Sequence, residues 1–154
     1  MYTHLLYLHS LTRWFLVITL AAALYKGFSG WLRQRPFTSF DNTLRHVTAT
    51  VAHVQLAIGY ILYFKSPVVA WFRLHPAQPS DPVDYTFFGV VHIATMTVAV
   101  IIITVGSSLS KRRHNDAAKF KAMALCFAIG AILIALAIPW PFSPWATRPW
   151  IRTF

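Results

Sequence analysis

Residues 87–106 read Phe-Phe-Gly-Val-Val-His-Ile-Ala-Thr-Met-Thr-Val-Ala-Val-Ile-Ile-Ile-Thr-Val-Gly, without one Asp, Glu, Lys or Arg. As a helix rising ~1.5 Å per residue, this run matches the ~30 Å hydrocarbon core of a bilayer. Lipid imposes a severe condition, because every backbone polar group must then be satisfied inside the helix. The run also holds His92 near its start. An imidazole there needs a partner, since lipid offers none.

The rest of the chain follows the same pattern. Its apolar fraction is 56% and only 12% of residues are charged, with a mean hydropathy of +0.53. Those values belong to integral membrane proteins rather than soluble globules. The net charge of +10 is no sign of nucleic-acid binding, because the basic residues sit in short clusters between apolar runs. Clusters so placed are orientation signals.

Four spans are expected, at about 5–25, 44–64, 87–106 and 120–138, in a single domain covering residues 1–154. The first twenty residues lack a positive leading segment, and Arg13 interrupts their apolar run. They therefore read as a retained span rather than a signal peptide. Asp41 is the expected N-cap of the second span, with Asn42 its first helical residue. The stretch 68–85, holding Pro76, Pro79 and Pro82, reads as an irregular surface loop. The tail, with Trp145, Arg148, Trp150 and Arg152, is expected to lie on the membrane surface.

The first and third connections hold Lys26, Arg33, Arg35, Arg45, Lys111, Arg112, Arg113, Lys119 and Lys121, against Lys65 and Arg73 in the middle one. Positive-inside then puts both termini outside. Short connections make neighbouring spans antiparallel, which gives an all-α, up-down four-helix bundle.

The four acids, Asp41, Asp81, Asp84 and Asp116, all lie between apolar runs, and there is no Glu. The lack of an intramembrane acid speaks against a proton-coupled transporter. A single cysteine, Cys126, allows no internal disulfide, covalent haem motif or iron–sulfur cluster.

The chemistry left is that of histidines His9, His53 and His92 within the spans. Spans one and three run in the same direction, so His9 and His92 both fall ~7–9 Å outward of mid-membrane, while His53 lies near the middle. Two imidazoles at one depth suit the axial positions of a haem iron. His53 is the alternative ligand. A structural role is open too, because an intramembrane histidine often only bonds a neighbouring helix. A copper or zinc site would want three or four convergent ligands. Arg13 lies one helical turn from His9 and shares its face. Without an intramembrane carboxylate its anion would come from outside the chain, as haem propionates could, unless the side chain snorkels to the headgroups. Met96 shares a face with His92 and reads either as core or as lining of a haem face. Gly59 allows a flat ligand or plain close packing.

The motifs Leu8-His9-Ser10 with Arg13-Trp14, His53-Val54-Gln55-Leu56 with Gly59, Leu62-Tyr63-Phe64-Lys65-Ser66-Pro67 and Ile138-Pro139-Trp140-Pro141-Phe142 resemble small bacterial four-helix membrane proteins catalogued as cytochrome b-like. An acid often precedes the third-span histidine in that family; here the position is Val91. The resemblance implies a b-type haem protein of the bacterial inner membrane. Its expected task is electron transfer, between membrane quinone and an outer-face redox partner. The partners so expected are lipid, quinone and a larger respiratory complex or a homo-oligomer, and not nucleic acid. The alternative is a haem-free structural or assembly subunit of a respiratory complex.

Overall fold

The computed structural model describes residues 1–75 and 82–151, so Pro76, Pro79, Asp81 and Arg152 lie outside the described residues. Among the described residues six α-helices follow one another: α1 (Tyr2–Leu32), α2 (Ser39–Lys65), α3 (Pro67–Leu74), α4 (Val83–Thr86), α5 (His92–Arg112) and α6 (Asp116–Ala137). A π-helical turn, Phe87–Val91, joins α4 to α5, so the helical run continues from Val83 to Arg112. Among the described residues, four helical segments are long and apolar enough to cross a membrane.

Each long helix packs on two others. α1 lies against α2 and α6, and α5 against the same two, which places α1 and α5 across the diagonal of a four-helix bundle. The half of the bundle farther from the chain termini is solid. Ile103, Phe120, Met123 and Phe127 are wholly buried there, with Leu16, Leu20 and Ala99 around them. Burial of that size stabilises by about 1.5–3 kcal/mol per large side chain in water; between helices already in lipid, dispersion and close fit carry the packing instead. Glycines set the closest approaches. A Cβ at Gly130 of α6 would come within 2.6 Å of Ile103 Cγ1, and one at Gly30 of α1 within 2.5 Å of the Phe120 ring.

Two expectations are corrected here. The second span starts at Thr38, not Asp41. Thr38 and Asp41 form a capping box, Asp41 Oδ2 accepting from the Thr38 N–H at 3.0 Å and the Thr38 hydroxyl accepting from the Asp41 N–H at 3.3 Å. Asp41 is 1% exposed and is held on both oxygens by Arg35 at 2.7 Å. That hydrogen-bonded pairing raises the Arg35 guanidinium above its ordinary value.

The stretch 68–85 is not an irregular loop throughout. Ser66 caps α3 by accepting from the Val69 N–H, and Pro67 occupies the first helical position, where its missing N–H costs nothing. The tail packs back onto the bundle, and the carbonyl of Trp150 accepts from Trp14 Nε1 at 2.9 Å. The Trp150 ring packs against Trp14 and Trp140 at 5.9 and 5.5 Å between centroids.

Candidate functional site

The half of the bundle nearer the chain termini is hollow. His9 of α1 and His92 of α5 line one cavity of about 290 Å³ that all four long helices enclose. The two histidines come from diagonal helices and face the same space, with Arg13 beside them. All three lie close enough to interact electrostatically.

The chain around His92 explains its orientation. The backbone N–H of His92 reaches back to the Phe87 carbonyl, the wide step of a π turn, a feature frequent at functional sites. Gly89 lies within that turn, and a Cβ there would meet the Phe72 ring at 2.5 Å. Tyr63 fixes the turn from α2 by donating to the Gly89 carbonyl at 3.0 Å. The rings of Phe87 and Phe88 then pack against the imidazole at 5.6 and 5.9 Å.

His92 Nδ1 lies 2.8 Å from the Ala137 carbonyl. A carbonyl only accepts, so Nδ1 carries the hydrogen and the neutral ring keeps its lone pair on Nε2. The Ala137 carbonyl is available because it ends α6, and the residue four positions on is Pro141, which has no N–H to give. An Nδ1–H held by a backbone carbonyl is the usual device for aiming Nε2 at a metal.

His9 is gripped from α2. Gln55 Nε2 donates to the His9 carbonyl at 3.0 Å and lies 3.4 Å from His9 Nε2, while the Thr12 hydroxyl donates to Gln55 Oε1. His9 Nδ1 is buried with no hydrogen-bond partner among the described residues. Such a buried polar atom is costly when left unsatisfied. Gly59 stands opposite. A Cβ at that position would lie 3.3 Å from His9 Cε1 and 3.9 Å from Nδ1, so glycine keeps the ring edge open to the cavity.

Arg13 also lines the cavity, and its Nε is likewise buried without a partner, while Nη2 donates to the Trp150 carbonyl. Arg148 reaches the same space from the tail. It pairs with Asp84 at 2.7 Å and covers the Phe88 ring at 4.8 Å. No Asp lines the cavity among the described residues. Arg148 is thus neutralised by Asp84, and Arg13 is left without a carboxylate partner among the described residues.

His53 takes a different place. It is exposed on the outer face of the bundle, with Nε2 2.8 Å from the Thr104 hydroxyl of α5, and it does not line the cavity. No group of three or more His, Cys or Asp residues close enough for a metal ion occurs among the described residues. Two imidazoles alone leave most of a zinc or copper shell empty. A metal that brings its own equatorial donors needs two and no more. The cavity brings two imidazoles together, of which His92 presents a free Nε2.

Gln55, Arg148 and Trp150 are site residues that the sequence did not single out. Gln55 had a usable signal, since it is a polar amide in the middle of an apolar span. Arg148 and Trp150 had none, because only the folded tail brings Arg148 to the cavity and the Trp150 carbonyl to Arg13. Comparison of the chain with family models, with curated proteins and with solved structures finds no match.

Proposed function

We propose that this chain is a b-type haem protein of the bacterial inner membrane that carries electrons between membrane quinone and an outer-face redox partner. His9 and His92 would hold the haem iron, and Arg13, with Arg148, would favour the carboxylates of the group. The observation that supports this most is the pair of imidazoles lining one cavity, one with Nδ1 anchored to a carbonyl and the other with a buried nitrogen unpartnered. Both termini would lie outside, as the distribution of Lys and Arg implies.

Bound haem would supply one-electron redox chemistry. The chain's own residues act around it. The Ala137 carbonyl, holding Nδ1–H, makes the His92 imidazole a stronger donor, and Gln55 fixes the rotation of α1 that presents His9. Phe87, Phe88 and Met96 keep water from the space, and a dry, low-dielectric pocket sharpens the effect of every charge in it. The arginines favour the charged propionates.

The test is the absorption spectrum of the purified full chain, expressed with haem supplied. A Soret band with a sharp reduced α-band is expected. A preparation that folds and stays colourless supports the haem-free respiratory subunit instead.

A further inference from the structure

The face between α2 and α5 carries two polar pairs on the outside of the bundle. Tyr60 Oη lies 2.9 Å from Thr97 Oγ1, and His53 Nε2 lies 2.8 Å from Thr104 Oγ1. The pairs are seven residues apart on both helices, ~10 Å along the axis. Tyr60 and His53 are exposed at positions well inside a helix that is apolar and long enough to cross a membrane.

The direction of each hydrogen bond follows from counting hydrogens. A threonine hydroxyl has one to give. Thr97 gives it to the Ile93 carbonyl and Thr104 to the Val100 carbonyl, both at 2.7 Å. Each therefore accepts from its partner across the seam. The Tyr60 hydroxyl donates to Thr97, and His53 donates through Nε2–H to Thr104. What remains pointing outward is acceptor capacity only: the lone pairs of Tyr60 Oη and, in the neutral ring, of His53 Nδ1. In hydrocarbon, acceptors of this kind call for a donor.

A groove open to the outside runs beside the Tyr60 pair, lined by Tyr60, Tyr63, Ile93, Ala94, Thr97 and Val98. It shares Tyr60, Tyr63 and Ile93 with the central cavity. Its occupant must dissolve in the hydrocarbon, lie flat against apolar side chains and bring a hydroxyl to donate. A second copy of the chain, docked by this same face, would set acceptor against acceptor. A phosphatidylcholine headgroup has no N–H or O–H to give.

We infer that the α2–α5 groove binds a membrane hydroquinone, the reduced form of a quinone, through a hydroxyl donated to Tyr60 Oη. The oxidised quinone carries only carbonyl acceptors and is disfavoured by the same oxygen. This rests on the quinone-linked reading above for the class of ligand, and it adds the site and the redox form held there.

The experiment uses the full chain in anaerobic phosphatidylcholine nanodiscs. A decyl-substituted hydroquinone, its quinone and its dimethyl ether are equilibrated in turn, and ligand retained above empty discs is measured. The hydroquinone is expected to bind about fivefold tighter than the other two, the worth of one hydrogen bond. Tyr60→Phe should level the three. Thr97→Val removes the acceptor that holds the Tyr60 O–H, frees it to donate outward, and should turn the preference toward the quinone. Equal retention of all three ligands by the unaltered chain, or an unchanged preference in Thr97→Val, overturns the inference. The absorption spectrum of the same discs reports haem separately. Colourless discs that keep the hydroquinone preference would count against the haem reading and for this site, and haem-loaded discs without the preference would count the other way.

Discussion

Two substitutions of the same kind, Gly59→Ala and Gly130→Ala, should change stability in opposite directions. Both glycines lie inside long helices, where alanine is intrinsically better by roughly 0.8–1.0 kcal/mol. At Gly130 the added carbon would sit 2.6 Å from Ile103 Cγ1 and 3.3 Å from the Ala99 carbonyl oxygen. Ordinary carbon contacts are ~3.5–4.0 Å, so α5 and α6 must part by about 1 Å. Ile103 is wholly buried and has nowhere to go. Overpacking of this kind costs about 1–3 kcal/mol, which exceeds the gain in propensity. At Gly59 the new carbon meets only His9 Cε1 at 3.3 Å, on a ring that borders a cavity. A shift of a few tenths of an ångström relieves it, so the propensity gain survives and the haem-free protein gains about 0.5–1 kcal/mol. The same carbon lies beside His9 Nδ1, and haem binding should fall at least tenfold. SDS titration of the haem-free variants and haem titration of each would measure both effects. Should Gly59→Ala lose stability as Gly130→Ala does while binding haem normally, Gly59 is a packing glycine and the site argument is wrong there.

Gln55→Leu keeps the bulk of the side chain and removes the amide that grips His9. Thr12 can turn its hydroxyl to the Leu8 carbonyl at 2.9 Å, so stability should change by no more than about 1 kcal/mol, while the low-spin haem signal in electron paramagnetic resonance broadens as the imidazole loses its fixed orientation. An unaltered spectrum would show that Gln55 does not position the ring. For topology, cysteines introduced at Ser39 and Ser143 in a Cys126→Ala background should be protected from and open to an outside reagent, respectively. The opposite pattern inverts the proposed orientation.

The four helices were legible because periodicity was unnecessary: apolar length alone identifies a span, and no run in this chain is ambiguous. Their ends were less so. Thr38 and Asp41 carried a capping-box spacing, and Ser66-Pro67 carried a helix start, so both signals were present in the sequence and outweighed by the expectation of loops between spans. Helix α1 runs to Leu32 because Gly27 and Gly30 serve its packing against Ala124 and Phe120 rather than ending it. Depth along a span placed His9 and His92 at one height, and the structure lines one cavity with both. Rotation about a helix axis is harder to read. Seven-residue spacing put His53 and Tyr60 on one stripe, yet only the packed bundle shows that the stripe meets Thr104 and Thr97 at the outer α2–α5 seam, so that His53 turns away from the cavity. The contribution of the tail was beyond sequence reasoning altogether. Trp150 meets Arg13 and Trp14 across more than a hundred residues, through a backbone carbonyl that every residue type possesses.

The central claim is that His9 and His92, and not His53, bind the haem. Its most direct test is the reduced-minus-oxidised spectrum of three variants, His9→Ala, His92→Ala and His53→Ala, purified with haem supplied and checked for folding by circular dichroism. Loss of either cavity imidazole should abolish the low-spin α-band, because no other imidazole lines the cavity to replace it. His53→Ala should keep the band at full amplitude. A variant set in which His53→Ala loses the band and His9→Ala retains it would contradict the account.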